Sequence, residues 1–299
     1  MEVLVTGDRG FIGSHLVSRC DKYFLKTLPE YIRLGPESEH DSRIGYLMES
    51  GSVVIHLAGL AHEHYSDDQL FSINHEGTLA LARLSASRRV SRFIYLSTVS
   101  VYGDGPHAER YTENSALPEN TGCYSRFETE VALIQLSIAT DMELVIIRSP
   151  LVYGPGVKAN FFSLLTIACK SFPLPFGSVN NRRSMIYVGN LVDFIFKCID
   201  HPAAINQIFL VSDGEDVSLR SLITLIRSEF GNSSRLLPIP IALFKLVGIC
   251  SGKKHVIDRL VGDLQVDSSK SRNLLGWVPP YSVEEGIAAT VQDFKNRNK

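Results

Sequence analysis

The chain has 299 residues and a net charge of −2, so it lacks the basic surplus that binds nucleic acids or acidic membranes, and neither is expected as a partner. Its five cysteines are scattered without a Cys-x-x-Cys pair, which favours buried thiols in a reducing compartment over a disulfide framework. The longest apolar run, 239–250, is interrupted by Lys245 and is shorter than a membrane span. Because a strand signal begins at the first residues, no signal peptide is expected, and these features together predict a cytoplasmic protein.

The first predicted strand is the apolar run 3–5, and a glycine-rich turn leads from it into an apolar helix. In such a strand–turn–helix unit, Gly7 permits the tight turn and Gly10 lets the backbone approach a pyrophosphate. Gly13 allows the helix to pack closely on the strand. The free N–H groups and dipole of the helix start favour the phosphate charge. This stretch therefore predicts a dinucleotide-binding turn.

Strand and helix signals alternate through the first half, which predicts βαβ units and a parallel sheet. Strands are predicted at 23–28, 53–57, 93–96 and 143–147, and helices at 67–87 and 120–139. Right-handed crossovers bring the carboxyl ends of parallel strands to one edge, where ligands bind. Gly7, Ala58, Thr98 and the segment 148–150 all follow predicted strands, so we expect them to converge at that edge.

The second half is less regular. Helices are predicted at 161–169, 190–199, 218–230, 241–248, 267–275 and 283–294, and a strand at 207–211. The fold class predicted is α/β, a Rossmann-type doubly wound parallel sheet with a smaller carboxyl-terminal substrate lobe. Residues 1–150 are expected to form the dinucleotide-binding domain. Residues 151–299 are expected to form mainly the substrate-binding lobe, with some elements returning to the sheet.

Five motifs, in order, resemble the extended short-chain dehydrogenase/reductase superfamily and, within it, the NAD-dependent epimerase/dehydratase family that acts on nucleotide sugars. They are the segments 5–13 (VTGDRGFIG), 56–59 (HLAG), 73–78 (INHEGT), 96–103 (LSTVSVYG) and 148–155 (RSPLVYGP). The resemblance implies NAD as the cofactor, with NADP not excluded. A nearby acidic residue, Glu30, would suit NAD, whereas Arg33 would suit the phosphate of NADP.

The resemblance also implies which residues contact the cofactor. They come from the glycine turn, the loop after the third strand and the ends of later strands: Gly7, Gly10, Phe11, Ile12, Gly13, Leu57, Ala58, Gly59, Asn74, Ser97, Tyr124, Arg126 and Pro150. Asn74 corresponds to a family residue that supports the active-site helix.

In this family a Tyr and a Lys four residues later lie on one helix face. The Tyr exchanges a proton with the sugar C4 oxygen while hydride passes between C4 and the nicotinamide, and the Lys lowers the Tyr pKa. This chain has GCYSRFETE at 122–130, where the pair is not intact in either register. If Tyr124 is the family Tyr, Glu128 stands at the Lys place. If Arg126 takes the Lys place, which is the slightly better match, Gly122 stands at the Tyr place.

Three explanations of the altered pair stay open. The enzyme is natural but impaired, the substitutions were engineered, or a local distortion brings Tyr124 and Arg126 together. Catalytic roles are accordingly expected for Thr98, Tyr124 and Arg126.

Substrate contacts are implied by the same resemblance. The substrate oxygen is expected to meet Thr98, Ser100 and Tyr124, and the uridine diphosphate to meet Asn160, Arg183 and Arg259, because arginine pairs bidentately with phosphate. His62 and His64 have a metal-like spacing but no further ligand cluster, so no metal is predicted.

The motifs after residue 148 most resemble bacterial reductases of UDP-linked 4-keto-6-deoxy-N-acetylhexosamines, which serve surface-polysaccharide synthesis. Two alternatives stay open: a UDP-hexose 4-epimerase with tightly bound NAD, and a catalytically silent nucleotide-sugar-binding protein on the same fold. By analogy with the family, a homodimer is expected through the helices at 67–87 and 120–139.

Overall fold

The structure is a computed structural model that describes residues 1–29, 34–60, 65–103, 109–116, 124–252 and 254–297. The strands are β1 (Glu2–Thr6), β2 (Phe24–Thr27), β3 (Val53–His56), β4 (Arg92–Thr98), β5 (Glu143–Ser149), β6 (Leu151–Tyr153), β7 (Arg183–Tyr187), β8 (Gln207–Leu210) and β9 (Asp216–Val217). The α-helices are α1 (Phe11–Ser18), α2 (Ser42–Gly45), α3 (Asp67–Phe71), α4 (Thr78–Ser87), α5 (Tyr124–Ala139), α6 (Ala159–Ala168), α7 (Val188–Asp200), α8 (Leu219–Glu229), α9 (Ile241–Cys250), α10 (Lys254–Val261), α11 (Ser269–Leu275) and α12 (Val283–Arg297). A π-helical turn, Ser72–Gly77, joins α3 to α4.

The main sheet has the strand order β2-β1-β3-β4-β5-β8, and every neighbouring pair is parallel. The chain moves from β1 outward to β2 and then returns to β3 on the other side of β1. The strand order therefore reverses between β1 and β3, where a doubly wound sheet leaves a crevice at its carboxyl edge. The predicted Rossmann-type sheet is confirmed.

Helices cover both faces of this sheet. Because side chains alternate along a strand, Val3 and Val5 pack into one layer, with α1 and α7, while Leu4 packs into the other, with α4 and α5. Strands buried on both faces are typical of parallel sheets and explain the short continuous apolar runs in the sequence. Both layers hold the carboxyl edge of the sheet rigid.

A second, smaller sheet follows residue 150. In it β6 pairs in parallel with β7, which pairs antiparallel with β9, while β8 returns to the main sheet beside β5. The local sequence does not predict β6, β7, β9 or α10. A strand of two or three residues, such as β9 or β6, is too short to show an alternating pattern.

Two strands run further than predicted. The pairing of β4 with β5 continues to Thr98 opposite Ser149. Residues 97–98 and 148–149 are therefore the last residues of these strands, whereas the predicted strands end at 96 and 147. The ladder partner, which local sequence does not show, supports these extra residues. The helix predicted at 120–139 is α5, which the structure describes from Tyr124 onward; residues 120–123 lie outside the described residues.

Candidate active site

The glycine turn lies where the strand order reverses. Gly7 has φ of 77°, the left-handed region that favours glycine, and a Cβ there would lie 2.7 Å from the backbone nitrogen of Ala58. A Cβ on Gly13 would lie 2.1 Å from the carbonyl oxygen of Gly7, so α1 packs directly on the turn. These two glycines have the geometric roles that the motif predicts.

Gly10 faces outward from the same turn. Its N–H donates to the Gly7 carbonyl at 2.9 Å, and a Cβ on it would meet this same oxygen, at 3.1 Å, as its nearest neighbour. As the N-cap of α1 it supplies no side-chain cap, and the first turn, which begins with Phe11 and Ile12, contains no acidic residue. The N–H groups at this helix start are therefore open to an anion, which fits the pyrophosphate of a dinucleotide.

Asn74 connects the loop after β3 to α5. Its side-chain oxygen accepts a hydrogen bond from the Leu60 N–H at 2.7 Å, and its amide donates to the Leu60 carbonyl at 3.0 Å. Its own carbonyl accepts from the Thr129 hydroxyl of α5 at 3.2 Å. A π-helical turn, which often marks a functional site, presents Asn74 in this way. The loop 57–60 is thereby held in one conformation.

Arg126 lies on the first turn of α5 and faces this loop. Its Nη1 donates to the Leu96 carbonyl of β4 at 3.1 Å, and a Cβ on Gly59 would lie 2.8 Å from its Nη2. Glu128, in contrast, affects His75. Burial lowers the pKa of His75, and the charge of the Glu128 carboxylate partly opposes this shift. Arg126, and not residue 128, therefore occupies the place beside the cofactor loop, which supports the register in which Arg126 takes the Lys place.

The Tyr half of the pair is less fully described. Gly122, which stands at the family Tyr place in this register, lies outside the described residues. Tyr124 is the first residue of α5, two positions before Arg126. The Tyr124 side chain lies outside the described part of the structure, so its pairing with Arg126 stays a prediction.

Thr98 and Ser100 place two hydroxyl groups at the carboxyl end of β4. The Thr98 Oγ1 accepts a hydrogen bond from the Ser100 N–H at 3.2 Å and lies 3.3 Å from the Ser100 hydroxyl. Both residues are half-buried. Hydroxyl groups donate and accept hydrogen bonds, so this pair suits an alcohol or carbonyl oxygen of a substrate.

A buried polar network, which the sequence analysis missed, lies behind these hydroxyls. The Ser97 hydroxyl donates to Glu130 of α5, and the Glu130 carboxylate pairs with the Arg148 guanidinium at 2.6 Å. Arg148 also donates to the Tyr102 hydroxyl, and burial raises the pKa of Tyr102 to about 12, so this phenol stays neutral. Because buried charges must be paired, the network fixes α5 against the ends of β4 and β5.

The network changes the expectation for Ser97. This side chain is buried and its hydroxyl is engaged by Glu130, so we expect any contribution to cofactor binding to come from its main chain. Leu57, Ala58 and Gly59 stay partly or fully exposed on the cofactor side, and Pro150 is buried between β5 and β6.

His56 joins the elements beneath the site. Its Nδ1 lies 2.7 Å from the Thr6 hydroxyl and its Nε2 lies 2.8 Å from the Thr78 hydroxyl. Since the Thr78 hydroxyl donates to the Asn74 carbonyl at 2.8 Å, we assign the proton to Nε2 of a neutral imidazole. Burial, and secondarily the charge of Arg126, lowers the pKa of His56 from 6.5 to about 3.

We expect this histidine to make the protein less stable in mild acid. A folded-state pKa below that of the unfolded chain gives stability that is complete above pH 6.5 and is lost as the pH falls toward 3. Between pH 7 and pH 5 the loss from this group alone is about 2 kcal/mol in the free energy of unfolding. Urea titrations of the natural chain and of His56→Gln measure it. The free energy of unfolding of His56→Gln is expected to fall less steeply with decreasing pH than that of the natural chain. His40→Gln, at an exposed position, is the control and is expected to follow the natural chain. Equal pH dependence in all three proteins would contradict the assignment.

The smaller sheet and α10 bring two predicted arginines together. Arg183 begins β7, and its guanidinium donates to the Gly262 carbonyl at 3.2 Å and to the Arg259 carbonyl. Burial, followed by the charge of Arg259, lowers the pKa of Arg183. A phosphate group beside two neighbouring cations would relieve their repulsion. The structure therefore brings the two predicted arginines together, and their binding of a diphosphate stays a prediction.

Asn160 is an exposed residue on the first turn of α6. The preceding Ala159 has φ of 53°, an unusual conformation for a residue with a Cβ. His62, His64, Glu30 and Arg33 lie outside the described residues, and within the described ranges no three metal-ligating side chains cluster.

Comparison with known proteins gives consistent matches. The family model described as "NAD dependent epimerase/dehydratase family" matches residues 3–212. A UDP-glucose 4-epimerase of Vibrio cholerae is 39% identical over 99% of this chain and 96% of its own. An undecaprenol-linked N-acetylglucosaminyl-diphosphate 4-epimerase of Escherichia coli O157:H7 is 25% identical over 97% of this chain and 94% of its own.

Solved structures show the same fold. The UDP-glucose 4-epimerase of Thermotoga maritima with UDP-glucose has a TM-score of 0.79 and 22% identity, over the full length of both chains. RMD from Pseudomonas aeruginosa with NADPH has a TM-score of 0.78 and 21% identity, over 99% of both chains. The glycine turn at the point of strand reversal and a family match over more than half of the sequence agree: this chain belongs to the NAD-dependent epimerase/dehydratase family.

Proposed function

We propose that the chain binds NAD at the carboxyl edge of the main sheet and catalyses hydride transfer at C4 of a UDP-linked hexose. The observation that carries the proposal is the convergence of the glycine turn, the loop 57–60, Arg126 and the Thr98 hydroxyl around the strand reversal. In this proposal residues 1–150 form the cofactor domain and residues 151–299 supply most of the sugar-nucleotide site.

NAD is the proposed cofactor because the matching family is NAD-dependent. The UDP-glucuronic acid 4-epimerase of Bacillus cereus, solved with NAD, has a TM-score of 0.74, and RMD was solved with NADPH. Gly7, Gly10 and Gly13 would hold the pyrophosphate against α1, and the loop 57–59 with Pro150 would border the nicotinamide end. When bound, NAD would supply the hydride acceptor.

Arg126 would stand beside the nicotinamide ribose in the place of the family Lys. Its fixed positive charge favours the deprotonated form of a nearby acid, but a guanidinium does not itself exchange protons near neutral pH. Thr98 and Ser100 would hold the sugar C4 oxygen by hydrogen bonds. The proton exchange needs a phenol, for which Tyr124 is the candidate on this segment.

The uridine diphosphate would lie in the carboxyl-terminal lobe. Arg183 and Arg259 would share the diphosphate charge, because the two residues are neighbours: the Arg183 guanidinium donates to the Arg259 carbonyl. Asn160 would donate a hydrogen bond to a phosphate or sugar oxygen.

Two outcomes of the hydride transfer are candidates. The 39% identical relative from Vibrio cholerae is a UDP-glucose 4-epimerase, which favours interconversion of 4-epimers. The second candidate is net reduction of a UDP-linked 4-keto-6-deoxy-N-acetylhexosamine in surface-polysaccharide synthesis, which rests on the motifs at 148–160 and 267–277.

Incubating the chain with UDP-glucose and, separately, with a UDP-4-ketosugar plus one equivalent of reduced cofactor distinguishes them. We expect UDP-galactose to form in the first mixture without net change in the cofactor, measured by chromatography and absorbance. Steady net oxidation of the cofactor in the second mixture would support the reductase instead. Thr98→Val, which removes a hydroxyl at constant volume, is the matched control and is expected to slow either reaction about 10-fold or more.

A homodimer through α3–α4 and α5 is proposed on family analogy. On α5 the Ile138 side chain is 82% exposed, and a partner helix in such a dimer would cover it.

A further inference from the structure

An exposed apolar surface covers the hairpin of α9 and α10, on the carboxyl-terminal lobe. We call it the α9 face, and its large apolar side chains are each 47–61% exposed: Leu237, Leu243, Leu246, Val247, Ile249 and Val256. Positions 243, 246 and 247 recur at helical spacing, so they share one side of α9. Contiguous apolar surface of this kind marks an interaction site more often than scattered single residues do.

The inner side of α9 is packed firmly on the lobe. Phe244 stacks on Phe176 with ring centres 5.7 Å apart, and a Cβ on Gly248 would lie 2.9 Å from the Ile257 side chain of α10. The inner side of α9 therefore packs on the lobe and on α10, and the outward apolar side chains take no part in this packing. A helix that is apolar on both its inner and outer sides needs something to cover the outer one.

The segment that contains this face has a one-sided charge along the sequence. Residues 232–261 contain five Lys or Arg residues and one acidic residue, a local charge of +4 in a chain of net −2, so the remaining sequence carries −6. Lys245 lies on α9 and is exposed. Lys254 is also exposed and pairs with Asp258, the single acidic residue, at 2.7 Å. A partner of negative charge with an apolar layer beneath it complements such a surface.

A second copy of the chain fits this surface less well. A symmetric dimer through the α9 face would bring two positive surfaces together, and like charges oppose association. Nucleic acid would use the cations but would leave the apolar side chains in water.

We propose that the α9 face docks the protein on an anionic lipid bilayer. A ten-residue helix is about 15 Å long, half the ~30 Å hydrocarbon thickness of a bilayer, so α9 would lie in the interface with its apolar side down. Among the described helices, none has the length and apolar composition to span a membrane, which agrees with peripheral docking. The net charge of the whole chain, −2, predicts no membrane partner, but it does not show the local surplus of positive charge in residues 232–261.

Docking in this way would place α10, and with it Arg259, next to the bilayer. The proposal does not depend on the reaction, since it rests on exposure and charge alone. It would bring a site for a diphosphate close to a lipid surface.

Co-sedimentation with vesicles tests the proposal. We expect the natural chain to pellet at low ionic strength with vesicles of equal phosphatidylglycerol and phosphatidylcholine, and to stay in solution with phosphatidylcholine alone. Leu246→Asp/Ile249→Asp and, separately, Lys245→Glu should each reduce the bound fraction about 5-fold or more. Val278→Asp, at a 60% exposed apolar position away from the hairpin, should bind as the natural chain does.

Circular dichroism melting of each variant verifies folding, since all these positions are exposed. Failure of the natural chain to pellet with anionic vesicles would overturn the proposal, as would equal binding to both vesicle types. A dimer that sedimentation velocity detects and that Leu246→Asp/Ile249→Asp dissolves would also overturn it, because a second copy would then cover the α9 face.

Discussion

The double variant Gly122→Tyr/Arg126→Lys is expected to act on its UDP-sugar at least ~100-fold faster than the natural chain, because it restores a positioned proton-exchanging phenol. Arg126 already lies beside Gly59 and the Leu96 carbonyl, so a Lys at 126 would stand where the family places it. The family spacing puts the Tyr four residues before the Lys, and residues four apart share a helix face. Initial rates with UDP-glucose measure the gain.

The other register supplies the comparison. Glu128→Lys restores the spacing to Tyr124, but Arg126 and not residue 128 lies beside Gly59 and the Leu96 carbonyl, so we expect no gain from it. Arg126→Lys alone is the control for the new cation. If neither repair raises turnover, the idea of an impaired enzyme is wrong. A large loss of activity in Tyr124→Phe would then assign proton exchange to Tyr124 in a locally distorted helix.

Gly10→Val is expected to weaken NAD binding by about 100-fold while leaving the fold intact. A Cβ on Gly10 would lie 3.1 Å from the Gly7 carbonyl oxygen, a tight contact that a shift of a few tenths of an ångström relieves, and no other atom outside its chain neighbours lies within 4 Å of it. On the ligand side the side chain would displace a phosphate from the N–H groups of α1. Losing two charge-assisted hydrogen bonds at about 1.5 kcal/mol each gives this factor.

Calorimetric titration with NAD, with thermal melting of each variant, measures both effects. Gly13→Ala is the contrasting variant, because its Cβ would lie 2.1 Å from the Gly7 oxygen and must displace α1. We expect Gly13→Ala to lose stability as well as binding. Unchanged NAD affinity in Gly10→Val would show that the phosphate of NAD does not bind at this turn.

The first half of the fold could be predicted from the sequence because its signals are local. Short apolar runs, glycines at a turn and amphipathic helices each depend on neighbouring residues. The strand ends at Thr98 and Ser149 could not be predicted from the sequence, because each depends on its pairing partner in the neighbouring strand. The bond of Glu130 to Arg148 and Ser97 also joins distant segments, and the available signal was a Glu on the inner side of α5 with an Arg at a buried strand end.

The second half was harder to predict for physical reasons. The strands β6 and β9 have three and two residues, too few to show a period, and their partners are remote in sequence. The helix predicted at 241–248 is α9, but local sequence did not show that its outer side stays exposed. Total charge likewise did not reveal a local concentration of cations.

The central claim is that one chain holds NAD at the strand reversal and a UDP-sugar in the adjoining lobe. Native mass spectrometry of the chain mixed with NAD and UDP-glucose tests it most directly. The account predicts a ternary mass with one dinucleotide and one UDP-sugar per chain, loss of the dinucleotide in Gly10→Val, and loss of the UDP-sugar in Arg183→Met. A natural chain that retains neither nucleotide, or a Gly10→Val chain that retains the dinucleotide as the natural chain does, would contradict it.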